Sequence, residues 1–310
     1  MGHHKAFIAT TTFGQLSSKP LELLKSLNVD YSVNNKGRRL TEEEICDALV
    51  NVDAVIAGTE PYTENVLSSL PKLKVISRLG VGFDNIDIVT SKKKDIKIFT
   101  TKTSPAQAVA ELTLGLILNL LRKITYHNNQ MEAGIWKKNM GFLLSGKTLG
   151  IIGLGTIGKE LVRIASGFGF HILAFDEQED KLFAKDNDVT YCELENLLKS
   201  SDIVTIHLNL SDQTKLLIDK EKVKLMKPEA ILINTSRGEI IDENALYEAL
   251  INNRVGGAGL DVFENEPYTG PLTKLDNVVL TPHIGAYAKE IRIKMEVEAA
   301  ENLIRGLNEL

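Results

Sequence analysis

Residues 149–158 read Leu149-Gly150-Ile151-Ile152-Gly153-Leu154-Gly155-Thr156-Ile157-Gly158. The apolar run ahead of Gly153 carries no polar alternation, which is the pattern of a parallel strand covered on both faces. After Gly158 the chain turns to Lys159-Glu160-Leu161-Val162-Arg163-Ile164-Ala165, a composition suited to a helix. A second apolar run, His171-Ile172-Leu173-Ala174-Phe175, closes on Asp176, 18 residues past Gly158. Gly153, Gly155 and Gly158 keep the G-x-G-x-x-G spacing, which permits a tight turn, close approach of the backbone to a pyrophosphate, and tight helix–strand packing. The start of the helix then offers free N–H groups and a positive dipole end to phosphates. Asp176 stands where a carboxylate accepts from ribose hydroxyls, and its charge repels a 2′-phosphate. The stretch predicts a dinucleotide-binding unit that favours NAD over NADP.

Working outward, a chain of 310 residues is long for one hydrophobic core, and two domains are expected. Ahead of the glycine turn, short apolar runs at 6–10, 29–33, 54–58, 74–77 and 96–99 read as strands. Helical spacing fills 20–27, 40–50 and 64–70 between them, with Thr41-x-x-Glu44 as a capping box. This alternation predicts a first parallel sheet. Its notable loop is Arg78-Leu79-Gly80-Val81-Gly82-Phe83-Asp84-Asn85, after the fourth strand, where glycines can expose backbone N–H groups to an anion. A hinge is expected at 100–104, followed by a helix over 105–123 that is apolar nearly all round and so buried on several sides. Strands near 149–153, 171–176, 203–208, 230–234, 258–262 and 278–281 form the second series, with helices at 193–200 and 243–252. A final amphipathic helix over 288–310 is expected to return to the first domain. The domain division expected is 1–100 with 283–310, and 101–282.

Composition excludes several classes. With 43% apolar and 25% charged residues and a net charge of −5, there is no basic field for nucleic acid or an anionic membrane. Cys46 and Cys192 stand in unrelated segments, form no metal or redox motif, and fit a reduced, cytoplasmic protein. No signal peptide or spanning run is read, and Met1-Gly2-His3-His4 resembles an expression remnant.

Three residues that can do chemistry follow strands of the second series. Arg237 lies in Asn234-Thr235-Ser236-Arg237-Gly238, Glu266 in Asp261-Val262-Phe263-Glu264-Asn265-Glu266-Pro267, and His283 in Thr281-Pro282-His283-Ile284-Gly285. Together they match what reversible hydride transfer at a secondary alcohol requires. Histidine moves a proton near neutral pH, a neighbouring carboxylate fixes its tautomer, and a forked cation holds the substrate acid group.

These motifs, with His207-Leu208-Asn209-Leu210-Ser211-Asp212-Gln213-Thr214, resemble the D-isomer-specific 2-hydroxyacid dehydrogenases over almost the whole chain. The resemblance implies an α/β architecture of two doubly wound parallel-sheet domains, a Rossmann NAD-binding domain inserted into a flavodoxin-like substrate domain. It makes Arg237 the residue that binds and polarises the substrate, and His283 the acid/base paired with Glu266. It places Asp261 on the nicotinamide carboxamide, the backbone near Thr156 and Ile157 on the pyrophosphate, and His207 and Thr235 along the cofactor. His207 reads equally well as a structural residue at a strand end. Gly80, Val81 and Gly82 would bind the substrate carboxylate through N–H groups, and the 105–123 helix would sit in a homodimer interface.

Within the family, Arg78 and its loop look like the phosphoglycerate dehydrogenase branch, whose arginine at that place reaches the substrate phosphate. Oxidation of 3-phosphoglycerate to 3-phosphohydroxypyruvate is therefore the expectation. Glu60, where a phosphate-binding arginine is common, has the opposite sign, and Lys36, Arg38 and Arg39 are the available compensation. The chain closes at Leu310, so no C-terminal regulatory domain is expected. The alternatives are a glyoxylate/hydroxypyruvate or broader 2-ketoacid reductase and, from another class, an NAD-responsive transcriptional corepressor.

Overall fold

The computed structural model describes residues 4–27 and 29–310. The remnant read at Met1, Gly2 and His3 lies outside the described residues, whereas His4 opens the first strand. The chain divides into Met1–Pro105 with Tyr287–Leu310, and Ala106–Ala286.

The first unit holds β1 (His4–Ile8), α1 (Lys19–Ser26), β2 (Val29–Val33), α2 (Glu42–Leu49), β3 (Ala54–Ala57), α3 (Glu64–Ser69), β4 (Val75–Arg78), α4 (Ile88–Lys93) and β5 (Lys97–Thr100). The strands form a sheet in the order β2-β1-β3-β4-β5, parallel at every pairing. That is the flavodoxin-like order, whose direction reverses beside β1. Thr41 caps α2 as expected, accepting from the Glu44 N–H while the Glu44 side chain accepts from Thr41.

The second unit contains α5 (Ala106–Arg122), α6 (Ile124–Glu132), β6 (Thr148–Ile152), α7 (Thr156–Ala165), β7 (His171–Phe175), α8 (Lys181–Asp186), β8 (Val189–Tyr191), α9 (Leu194–Ser200), β9 (Ile203–Ile206), α10 (Lys220–Leu225), β10 (Ile231–Asn234), α11 (Glu243–Ile251), β11 (Gly257–Leu260) and β12 (Val278–Leu280). Its seven parallel strands run β12-β11-β10-β9-β6-β7-β8. This is the doubly wound nucleotide-binding order, with its switch point between β6 and β9, where such sheets take ligands. β6, β9, β10 and β11 are buried through almost their whole length, which explains why their sequences carry no alternation. α5 lays Ala110, Leu116, Ile117 and Leu121 into the core of this unit against α7 and β10.

The last helix, α12 (Lys289–Asn308), belongs to the first unit and covers β3, β4 and β5. Two carboxylates fix it there. The buried Glu296 pairs with Arg292 at 2.9 Å and accepts from the Gly14 N–H, while Arg292 donates to Thr12 Oγ1. Glu298 accepts from the N–H groups of Lys102 and Thr103, at 2.6 and 2.9 Å, as the chain leaves β5.

Candidate active site

At the switch point of the second unit, Gly153 has φ +94, and a Cβ built on it would lie 2.6 Å from the His207 carbonyl oxygen. A Cβ on Gly158 would lie 2.4 Å from the Gly153 carbonyl oxygen. Both glycines are therefore required by the close approach of β6, α7 and the end of β9. Gly155 differs: nothing stands within 4 Å of its Cβ position, and it caps α7 immediately before Thr156 and Ile157. A glycine kept small beside open space, at the N-terminus of a ten-residue helix, fits the approach of a pyrophosphate. Asp176 accepts from the Leu154 N–H at 2.7 Å and the Gln178 N–H at 2.9 Å, which holds its carboxylate next to the glycine turn. His207 follows β9 with both ring nitrogens buried and without a hydrogen-bond partner in the structure. Burial lowers its pKa to about 4, so the ring is neutral at physiological pH. A neutral imidazole beside the glycine turn fits an uncharged part of a bound dinucleotide.

The three chemical candidates stand together at one edge of the sheet. Asn234, Leu260 and Leu280 are in register across β10, β11 and β12. Arg237, Glu266 and His283 follow those three neighbouring strands. His283 Nδ1 lies 3.0 and 3.1 Å from the two Glu266 oxygens. An ionised carboxylate only accepts, so Nδ1 carries the hydrogen and Nε2 is the nitrogen on which a proton is gained and lost. The Phe263 N–H donates to Glu266 as well, at 3.2 Å. Arg237 donates to the Ser236 carbonyl, and its own carbonyl accepts from Asn234 Nδ2. Asn234 Oδ1 also accepts from the Ser236 N–H and hydroxyl, so one buried amide shapes the whole arginine turn. Thr235 meets Thr113 of α5 at 3.0 Å through its hydroxyl.

Asp261 has a structural task that its sequence position did not reveal. Its Oδ1 accepts from the Thr281 hydroxyl at 2.6 Å and the Ile284 N–H at 2.8 Å, and Oδ2 accepts from the Gly285 N–H at 2.8 Å. The contact expected with a nicotinamide carboxamide would have to share a carboxylate already holding three donors. Burial pushes the Asp261 carboxyl up from the ordinary range, against the pull of those donors.

In the first unit, Arg78 ends β4 and is buried, and Gly80 follows with φ +150. Val81 is half exposed and Gly82 partly so. Of the basic cluster at 36–39, Lys36 and Arg38 both bind Glu44, at 3.0 and 2.7 Å. Among the described residues no group of three or more His, Cys, Asp or Glu is placed to hold a metal, and no helix is long and apolar enough to cross a membrane.

Comparison with known proteins identifies the family. Residues 114–285 match the family described as D-isomer specific 2-hydroxyacid dehydrogenase, NAD binding domain. A hydroxypyruvate reductase of Thermotoga maritima is 38% identical over 275 residues, covering 86% of this chain and 89% of that protein. A D-3-phosphoglycerate dehydrogenase of Methanocaldococcus jannaschii is 39% identical over 287 residues, 87% of this chain and 55% of its own length. The crystal structure of a phosphoglycerate oxidoreductase from Vibrio cholerae O395 superposes with a TM-score of 0.89 at 29% identity, covering 100% of both chains.

Proposed function

Because the chain belongs to the NAD-dependent D-isomer-specific 2-hydroxyacid dehydrogenases, we propose that it interconverts small, unphosphorylated 2-ketoacids of the hydroxypyruvate and glyoxylate kind with their 2-hydroxyacids. The observation that carries this reading is the His283–Glu266 contact at the strand edge shared with Arg237. In reduction, His283 Nε2 delivers a proton to the developing alkoxide. Glu266 holds the Nδ1 hydrogen, fixing the ring and steadying its charge. Arg237 engages the substrate through its guanidinium fork and draws charge from the 2-keto oxygen. Bound NADH supplies the hydride, and NAD accepts it in the reverse direction. Gly155, Thr156 and Ile157 would hold the pyrophosphate by backbone N–H groups, Asp176 would take the ribose, Asp261 would face the nicotinamide carboxamide, and Thr235 and His207 would line the cofactor. Val81 and Gly82 take the substrate carboxylate through their N–H groups, beside Gly80, whose own N–H donates to the Arg78 carbonyl.

Two observations favour an unphosphorylated tail. The compensating cations Lys36 and Arg38 are engaged by Glu44. The Thermotoga maritima relative is a hydroxypyruvate reductase. Oxidation of 3-phosphoglycerate is the second reading, supported by Arg78 and by the Methanocaldococcus jannaschii relative.

We also infer a homodimer. The 105–123 helix, expected at its interface, has much of its apolar surface buried inside its own unit. Trp136, Met140 and Leu143 are instead 79%, 91% and 75% exposed, more apolar surface than a solvated segment ordinarily shows. A second copy of this chain is the proposed cover.

NADH consumption with hydroxypyruvate, and the chirality of the glycerate formed, test the reaction. Wild type is expected to give the D-isomer, and His283→Gln to lose at least about a hundredfold in kcat while still binding NADH. A folded, fully active His283→Gln enzyme would overturn the mechanism.

A further inference from the structure

The loop after β3 carries a buried acid that the reaction does not use. Glu60 is 2% exposed, and its Oε1 accepts from the Gly58 N–H at 2.6 Å and from the Tyr62 hydroxyl at 2.9 Å. Tyr62 is fully buried. Asn85, in the loop after β4, donates to the carbonyls of Gly58 and Glu60. The Tyr62 N–H donates to the Asn85 carbonyl, and the Asp87 N–H donates to the Tyr62 carbonyl. The two loops are thereby joined along their backbones, and the carboxylate is fixed in place.

Arg78 ends β4, the strand neighbouring the one that leads to this acid. In the parallel register it pairs with Ala57, the residue before Gly58. It is 7% exposed, and its guanidinium donates to the Leu79 carbonyl. The guanidinium lies directly under Gly80, where an added Cβ would fall 2.5 Å from Nη1. Buried charges persist when they are balanced. The Tyr62 hydroxyl reports the balance: burial and Glu60 push its ionisation up, and Arg78 pulls it down.

We infer that Glu60 sets substrate specificity, as a fixed anion that offsets Arg78 beneath the Gly80–Gly82 loop and repels a phosphorylated substrate tail. The loop then presents backbone N–H groups with little net positive charge. A ketoacid with one carboxylate and a neutral tail is accepted. One that adds a phosphate brings nearly two further negative charges into the field of Glu60. Discrimination thus comes from a repulsive element set against the wrong substrate. This inference rests on the reaction proposed above.

The test is Glu60→Gln, whose amide oxygen still accepts from Gly58 and Tyr62 while the charge is gone. kcat/KM with NADH is measured for hydroxypyruvate and for 3-phosphohydroxypyruvate. The phosphorylated-to-unphosphorylated ratio is expected to rise about tenfold or more, the scale of removing a nearby like charge. Adding Arg78→Gln to that variant is expected to cancel the rise. Tyr62→Phe, which keeps the carboxylate, is expected to leave the ratio at its wild-type value. A wild type that prefers hydroxypyruvate, with a ratio unchanged in Glu60→Gln, would overturn the inference and leave the reaction standing. So would a rise in Tyr62→Phe equal to that in Glu60→Gln, since loop shape rather than charge would then decide. A wild type that already prefers the phosphorylated ketoacid would overturn the substrate reading itself.

Discussion

Asp261 grips His283 by the backbone around it. The Asp261 carbonyl accepts from the His283 N–H at 2.8 Å, and its carboxylate accepts from the next two N–H groups and from the Thr281 hydroxyl. His283 has φ +55, a left-handed conformation that a residue with a Cβ holds only when its surroundings impose it. One buried carboxylate thus fixes the backbone while Glu266 fixes the ring. Asp261→Asn keeps the shape but offers one accepting oxygen and turns an NH2 toward the N–H donors. Loss of charge-assisted bonds of about 1.5–3 kcal/mol each is expected to lower kcat by about tenfold to a hundredfold. Steady-state kinetics check this, and an unchanged kcat would assign Asp261 to the fold alone.

The two helix-start glycines should fail in different ways. Gly158→Ala forces a Cβ to 2.4 Å from a backbone oxygen, so both thermal stability and NADH binding should drop. Gly155→Ala meets nothing within 4 Å, and Tm should hold while NADH affinity falls about tenfold or more. Melting curves and NADH fluorescence titration separate the two. Full NADH affinity in Gly155→Ala would move the pyrophosphate away from this turn.

His207 makes a prediction about stability and pH. Its folded pKa of about 4 is below the ordinary value of 6.5, so between those values the unfolded chain binds the extra proton. Its contribution is therefore fully present above pH 6.5 and is lost as pH falls toward 4. The loss is up to about 3 kcal/mol for such a shift. Urea midpoints of wild type should fall more steeply from pH 7 to pH 5 than those of His207→Gln. Parallel falls would show that the ring is not buried in the neutral form.

Much of this was legible before any coordinates. The G-x-G-x-x-G turn with Asp176 announces the doubly wound sheet because its requirements are local, and Gly153 and Gly158 prove to be packed against backbone. The seven-stranded order and the His283–Glu266 contact follow from motifs that each close a strand. What sequence did not reveal is long-range. The Asp261 grip joins residues 20 to 24 apart, with no periodicity to betray it. β8 has three residues and α4, α8 and α10 have six each, too short for a pattern to stand out. Glu60 read only as a charge opposite in sign to a phosphate-binding arginine, and its burial against Tyr62 was not visible in the sequence. That the Arg78 guanidinium is buried against Gly80 was equally invisible in the sequence.

The most direct measurement is kcat/KM of the wild-type enzyme with NADH for hydroxypyruvate and 3-phosphohydroxypyruvate, side by side at one ionic strength. The proposed roles of His283 and Arg237 in the reaction, and of Glu60 in specificity, predict turnover of both ketoacids, with hydroxypyruvate preferred by about tenfold or more. Preference for the phosphorylated ketoacid would contradict the substrate reading and return Arg78 to phosphate binding. Absence of turnover with either would contradict the proposed reaction.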